Sequence, residues 1–244
     1  VNIAVLAALA FALPAPLRAA PPSDFEASDE PFTPAEFAAE VRRTTSNCTV
    51  SELVGPSDVP LPLDLSNALL DNPDLSAFIV RRRRIAPYRI EMQGPRRSLA
   101  DDGEGTSGVV SLLSRTDTHR LYYGEGEHRS GYWPTIRASA VIAMDLEERA
   151  SADGRPATRT SFLVCVRMRN VFVAGMVKVL RPFLKKTVIG KFTKAFFVAD
   201  RVGRLMAQDP DGVGADIAAF PILSDEDLAQ FRARVRRLKA EPRK

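Results

Sequence analysis

RTSFLVCVRMR, residues 159–169, alternates so that Phe162, Val164, Val166 and Met168 share one side of an extended chain. Successive side chains of a strand point to opposite faces, so this run predicts a strand with one apolar face that a core must cover. Upstream the texture is the same. Runs at 88–93, 108–114, 119–127 and 135–146 are separated by turn chemistry at Asp101-Asp102-Gly103-Glu104-Gly105, Asp117, Ser130-Gly131 and Asp153-Gly154. Five or six strands in hairpin order predict an antiparallel meander with one buried face.

Downstream the period changes to that of a helix. At 100° per residue, Phe172, Met176, Val179, Leu180 and Phe183 lie opposite Lys178, Arg181 and Lys185. A second stripe, Val188, Phe192, Ala195, Phe196, Ala199, Gly203 and Met206, lies opposite Lys191, Lys194 and Arg201. In one continuous helix these stripes would be about 160° apart. One straight helix cannot bury both on one core, so a break between Pro182 and Gly190 is expected.

Helices also flank the meander. Phe32-Thr33-Pro34-Ala35-Glu36-Phe37 combines an N-cap Thr, Pro at the first helical position, a Glu three residues after the cap, and a hydrophobic staple. It predicts a helix from Pro34 to about Thr45 with Phe37, Ala38 and Val41 on one side. Residues 49–54 read as a short edge strand and 55–62 as a proline-punctuated connection. Two short helices follow at 64–70 and 73–82, the second capped by Asn72 with Pro73 behind it. The arginines at 81–84 suit a helix C-terminus, which attracts cations, better than nucleic acid. After a turn at Asp209-Pro210-Asp211-Gly212, Ser224 caps a last helix striped with Leu228, Phe231, Val235 and Leu238.

Charge is unevenly spread. Residues 154–199 hold ten basic side chains and no acid, which in a chain of net charge +4 leaves −6 for the rest. Such a field beside apolar stripes draws anionic partners, and Lys178, Arg181, Lys185 and Lys186 are the candidates for contact with an anionic membrane surface. The bland alternative is that the stripe packs on the sheet and the bases are solvated.

The first seventeen residues carry no charge, and Arg18-Ala19-Ala20 precedes Pro21-Pro22. The stretch reads as a secretory signal with cleavage near Ala20, although the usual basic start is missing. Val1 in place of Met fits an alternative start codon or a truncated chain. An uncleaved membrane anchor is the other reading, but Pro14 and Pro16 interrupt a stretch already short for a span. Export, most simply to a bacterial periplasm, is expected. Cys48 and Cys165 are the only thiols. An exported chain permits them to pair, and Cys165 reads equally well as a small buried hydrophobe.

The order of elements resembles the helix-grip fold of START-like proteins, the SRPBCC or Bet v 1-like superfamily. Locally, Ala68-Leu69-Leu70-Asp71-Asn72-Pro73-Asp74-Leu75-Ser76-Ala77-Phe78 looks like the "leucine-x-aspartate-proline" helix pair that follows the first strand in many members. Residues 158–170 match the last strand and 188–208 the gripping helix. Two features depart from the pattern: one strand fewer than the usual seven, and a basic segment at 171–181 before the grip helix. The resemblance implies an α+β fold, a curved antiparallel sheet wrapped around a long C-terminal helix, covering 49–209. Around it stand a signal peptide (1–20), a linker (21–31), an extra N-terminal helix (32–48) and a C-terminal amphipathic extension (210–244). It also implies an apolar cavity for a lipid or other hydrophobic small molecule, walled by Phe162, Val164, Val166, Val188, Phe192, Phe196, Ala199 and Met206. The same residues would equally make a packed core.

Motifs for chemistry are weak. Glu125, Glu127 and His128 are close in sequence, but in a strand the two glutamates share a face and His128 points away. With no HxH or HExxH spacing, a metal site would need ligands from elsewhere, and no metal or cofactor is expected. The acidic run at 101–105 reads as a hairpin turn, not a calcium loop. No serine has a nucleophile-elbow context and neither Cys has a nearby His. Trp133 with Tyr132, Tyr122 and Tyr123 reads as a ligand anchor or as a packed aromatic corner. The leading expectation is an exported binder or carrier of a hydrophobic ligand that touches an anionic membrane. The alternatives are a cyclase- or hydrolase-type enzyme using the same cavity, with Glu125, Glu127 or His128, and an interaction protein docking through its basic face and the helix at 225–239. Export argues against nucleic acid as a partner, and oligomeric state is left open.

Overall fold

The computed structural model describes residues 35–130, 133–151, 154–169, 177–222 and 224–240. Seven strands form one antiparallel sheet: β1 (Val50–Val59), β2 (Arg89–Met92), β3 (Arg97–Asp101), β4 (Thr106–Arg115), β5 (His119–Ser130), β6 (Trp133–Ala150) and β7 (Pro156–Met168). Their order is β1-β7-β6-β5-β4-β3-β2, a meander whose last strand returns to pair with the first. Register shifts at Val54/Ser57, Leu112/Ser114 and His128/Ser130 bend the sheet.

Register sorts the residues by face. Val50, Phe162, Val164, Val166, Ile142, Met144 and Tyr122 are in one apolar cluster on the inner face. The outer face carries Tyr123, Val141 and Leu113, covered by α1 (Ala35–Thr45). Phe37 meets Tyr123 edge-on at 5.8 Å, and Thr44 Oγ1 lies 3.0 Å from Ser139 Oγ in a buried contact. Cys48, just past α1, is disulfide-bonded to Cys165 on β7. Cys165 is therefore paired, and it is also buried at 8% exposed.

On the inner side lie α2 (Leu63–Asp71), α3 (Pro73–Arg82) and α4 (Val177–Gln208). Helix α3 stops where Arg84 takes a left-handed φ of 55°. Ile85 N–H donates to Val80 O and Arg84 N–H to Arg81 O, which satisfies the helix's last carbonyls. Beyond α4, α5 (Pro210–Ala218) and α6 (Asp225–Ala240) complete a second apolar cluster with Leu65, Leu75, Ile79, Met206, Val213, Ile217, Phe231 and Val235. Arg82 and Arg83, expected as solvated charges, both bind the mostly buried Asp216 of α5, and Arg83 also reaches Asp209 at 3.1 Å.

Four expectations need correction. The seventh strand, Arg97–Asp101, escaped the pattern because its polarity is inverted: inward Ser98 and Ala100 are small, while outward Leu99 is exposed. Strand β1 continues to Val59 through a bulge at Gly55 and Pro56, where a connection was expected. Asp209-Pro210-Asp211-Gly212 starts a helix, with the Asp209 carboxylate accepting from Gly212 N–H. Finally, α4 runs unbroken past Pro182 and Gly190. Of the second stripe, Val188, Phe192 and Phe196 pack on the sheet cluster. Phe172 and Met176 lie outside the described residues, as do the side chains of Lys178, Val179, Leu180, Arg181 and Phe183.

The disulfide closes a separation of 117 residues and ties α1 to β7. Cross-linking a loop of that length restricts the unfolded chain, a stabilisation of roughly 2–4 kcal/mol. Denaturant unfolding of the Cys48→Ala/Cys165→Ala variant is expected to show a loss of that size against the oxidised protein, while the reduced wild type falls near the variant.

Candidate functional site: the space between sheet and helix

Two apolar cavities lie between α4 and the inner face, one of about 370 Å³ and one of about 390 Å³. They meet at Ala100 and Val110, which line both. The floor of the first explains its existence, whereas the second shares only Ala100 with that floor and is lined from the sheet by Tyr122, Met144, Leu146 and Phe162. Register places Ala138 and Ala140 of β6 beside Gly126 and Gly124 of β5, and Gly126 beside Gly108 of β4, which pairs with Ala100 of β3. No side chain in this patch exceeds a methyl group, so the helix opposite meets a hollow.

Two of the glycines are also required by close packing of the strands. A Cβ on Gly108 would stand 2.4 Å from Glu125 O, and one on Gly126 would stand 2.6 Å from Ser107 O. Gly124 is different: its nearest neighbour would be Val109 O at 3.7 Å.

Of the eight residues expected as cavity walls, Val164, Val166, Val188 and Phe192 line the first cavity, and Phe162, Phe196 and Ala199 the second. Phe162 packs on Phe192 at 5.1 Å and on Phe196 at 5.0 Å between ring centroids. Met206 lines neither, being fully buried in the cluster of α2, α3, α5 and α6. Sequence reasoning missed the floor, although Gly124-x-Gly126 and Ala138-x-Ala140 carry the period of two that would reveal it. It also missed the contribution of Leu69, Leu70, Ala77 and Val80 from α2 and α3.

The acidic hairpin closes the first cavity at one end. Lys191 of α4 binds Asp102 and reaches Glu104 at 3.4 Å, and Lys194 binds Glu104. Burial alone would push the Asp102 carboxyl up, but the Lys191 ammonium and the N–H groups of Thr106 and Glu104 hold it at about 2, below its ordinary 3.8.

Glu125, Glu127 and His128 do not converge. Glu125 accepts from Tyr123 O–H at 2.6 Å and pairs with Arg169 at 2.7 Å, on the outer face. Glu127 pairs there with Arg129 and Arg137. His128 is on the inner face, its Nδ1 2.9 Å from Thr106 Oγ1. The aromatic corner likewise divides: Tyr122 lines the second cavity and Tyr123 sits beneath α1, while Tyr132 and the Trp133 side chain lie outside the described residues.

At the far end of the second cavity lies a wider polar recess of about 600 Å³, which includes Asp71, Arg96, Arg115 and Asp117. Behind it Arg120 is 1% exposed, donating from Nη1 to Asp71 Oδ1 and from Nη2 to Asn67 Oδ1, both at 2.7 Å. Arg115 binds the same Asp71 oxygen at 2.7 Å.

A seven-stranded antiparallel sheet wrapped around a long C-terminal helix is the helix-grip class of α+β fold. No protein-family model matches this chain, and no curated protein matches it. Among solved structures it is similar to a conserved protein from Geobacillus kaustophilus, at 12% identity, 64% of this chain, 97% of that one and a TM-score of 0.44. It is also similar to Ara h 8.0201, at 13% identity, 63% and 98% coverage and a TM-score of 0.39. A third likeness is to the di-domain ARO/CYC BexL from the BE-7585A biosynthetic pathway, at 12% identity, 68% and 55% coverage and a TM-score of 0.41. At these identities the likeness concerns the fold.

Gly108→Ala and Gly126→Ala are each expected to cost roughly 1–3 kcal/mol, because backbone must move. Gly124→Ala is expected to be neutral or to stabilise by up to about 1 kcal/mol. Chemical denaturation of the three variants separates a floor built for strand packing from one that is merely small.

Because the Asp102 pKa is depressed on folding, its contribution is complete above the unfolded carboxylate's value, about 4, and disappears as pH falls through about 2. Wild type and Asp102→Asn are expected to differ in unfolding free energy at pH 6 and to converge towards pH 2. A carboxyl titration by NMR locates the midpoint.

Proposed function

We propose that this protein binds a hydrophobic small molecule or lipid between α4 and the inner face of the sheet and carries it outside the cytoplasm. What supports the reading most is unfilled apolar space bounded by rigid elements and, in the first cavity, floored by glycine and alanine. Each cavity falls in the usual ligand range of roughly 300–1,000 Å³. The polar groups around it are largely engaged with the protein itself. Ser66 O–H donates to Thr158 Oγ1 at 2.9 Å, Ser76 O–H donates to Leu69 O at 2.7 Å, and His128 is held by Thr106.

That economy of free polar groups favours a binder over a cyclase or hydrolase, as does the placement of Glu125 and Glu127 on the face away from the cavity. Docking through α6 is disfavoured for a similar reason: Phe231 and Val235 are 2% and 1% exposed within the chain's own core. Export is supported by the Cys48–Cys165 disulfide, which persists in oxidising compartments, and by the uncharged stretch at the start of the sequence. A membrane contact rests on less. Lys185 is paired with Glu52 at 2.8 Å, which leaves exposed Lys186 as the described candidate for anionic head groups.

Mass spectrometry of an organic extract of the purified protein is expected to show a co-purifying apolar compound that Ala140→Leu/Ala100→Leu does not retain. The same variant, which fills the floor, should bind a neutral fluorescent apolar probe at least about tenfold more weakly while melting no lower than wild type. Equal probe binding by the two proteins would overturn the cavity as the site.

A further inference from the structure

Among the polar side chains around the first cavity, His128 stands apart. It lies on the inner face of β5, between Thr106 of β4 and Ile136 of β6, and all three residues line the cavity. Its Nδ1 is 2.9 Å from Thr106 Oγ1. Its Nε2 makes no hydrogen bond to any described residue, and no described carboxylate pairs with the ring. The local backbone holds this arrangement in place. Gly105 has a φ of 93°, and a Cβ on it would stand 2.2 Å from Arg129 O, so a side chain there would keep the β3–β4 turn from closing on β5. Arg129 N–H donates to Gly105 O at 2.8 Å, which fixes Thr106 opposite His128. The imidazole is thereby anchored through Nδ1 and unengaged at Nε2.

The charges around the same cavity are spent on one another. Lys191 binds Asp102 and reaches Glu104, and Lys194 binds Glu104, two cations against two carboxylates. Much of the remaining wall is apolar, with Ile136, Val166, Met168 and Val188. A molecule filling this space therefore meets little unmatched charge and a ring nitrogen in need of a partner. An imidazole whose Nδ1 accepts from the Thr106 hydroxyl presents Nε2–H as a donor, and one whose Nδ1–H donates to that hydroxyl presents Nε2 as an acceptor. A ligand hydroxyl answers either tautomer, and a carbonyl answers the first.

We propose that the first cavity takes an uncharged, largely apolar molecule bearing a hydroxyl or carbonyl oxygen, which is held by a hydrogen bond to His128 Nε2. This rests on the cavity being a binding site and adds the class of ligand and the residue that selects it. A hydrogen bond made away from bulk water is worth most as discrimination, because an analogue lacking the oxygen leaves the nitrogen without a partner.

Titration calorimetry at pH 8 with tetralin, 1-tetralol, 1-tetralone and tetralin-1-carboxylate, which share one bicyclic body, tests this. The alcohol, the ketone or both are expected to bind about three- to tenfold more tightly than tetralin, and the carboxylate more weakly than the better of them. In His128→Phe, which keeps a ring and loses its nitrogens, that preference is expected to vanish with the tetralin affinity unchanged, which also shows that the variant is folded. Thr187→Val, altering a residue that lines the cavity from α4, is expected to keep the preference. The chain has only 2 histidines, so the imidazole nitrogen signals missing from the His128→Phe spectrum belong to His128. In wild type the Nε2 signal is expected to move further with the tighter oxygenated ligand than with tetralin. Equal affinity for tetralin and its oxygenated relatives overturns the His128 site and leaves the cavity standing. So does a preference that survives in His128→Phe, or a carboxylate that binds most tightly. Failure of all four to bind overturns the cavity reading, and this proposal with it.

Discussion

Phe162 between Phe192 and Phe196 is the contact on which the inner half of the molecule depends. Three rings packed at a tilt, with centroids about 5 Å apart, set the distance between α4 and the sheet at one point. On the side of the first cavity the sheet offers glycine and alanine, so the helix is held off a floor it cannot reach. A larger residue at Ala140 would fill that space, and a smaller one at Phe162 would let the two layers close. The backbone accommodates the rings: Gly55, at φ 105°, would place a Cβ 3.1 Å from the Phe196 ring and 2.9 Å from Thr160 O. A bulge in the first strand thus makes room for a ring from the last long helix, and the cavity on either side follows from that fit.

Charge shows how a linear pattern misleads about a surface. Ten bases without an acid in residues 154–199 look like one cationic face. In the fold Arg159 meets Asp58, Arg169 meets Glu125, Lys185 meets Glu52, and Lys191 and Lys194 take the acidic hairpin. The acids that sequence counting assigned to the rest of the chain are the partners. Exposed pairs of this kind contribute little stability individually. Their effect is one of register, with Asp102 and Glu104 fixing where the β3–β4 hairpin lies against α4. The acid-rich turn and the basic helix are two halves of one contact about 90 residues apart.

How much of this was legible in the sequence follows from which signal each element carries. Strand β7 announced itself because its inward residues are large, and the paired helices α2 and α3 because Asn72 and Pro73 mark the join. Strand β3 did not, since it faces the cavity with Ser98 and Ala100, and a hydrophobic pattern cannot register a place where side chains are deliberately small. The same blindness hid the cavity floor. Helix α4 was split by reasoning that every apolar stripe must be buried on the same core. Helix α5 was read as a turn because Asp-Pro-Asp-Gly marks a cap as readily as a loop. Cavity walls on β7 and α4 were legible, and Met206 shows the limit. Its helical phase matches Phe192 and Ala199, but so far along the helix the neighbours are α2, α3 and α5, and a ligand wall becomes core.

An unfilled interior has consequences for stability as well as binding. Apolar side chains that face these half-open spaces forgo the stabilisation that close packing against a neighbour would give them. Such a cost is tolerable only if the space is occupied or the scaffold is strengthened elsewhere. Water is a poor occupant where few polar groups are free to hold it. The strengthening is visible on the side away from the cavity, where α1, the buried Thr44–Ser139 contact and the disulfide brace the outer face. A sheet stiffened from outside can keep its inner face open. An apolar occupant would then add stability by mass action rather than by rescuing the fold, and its loss would leave the outer half intact.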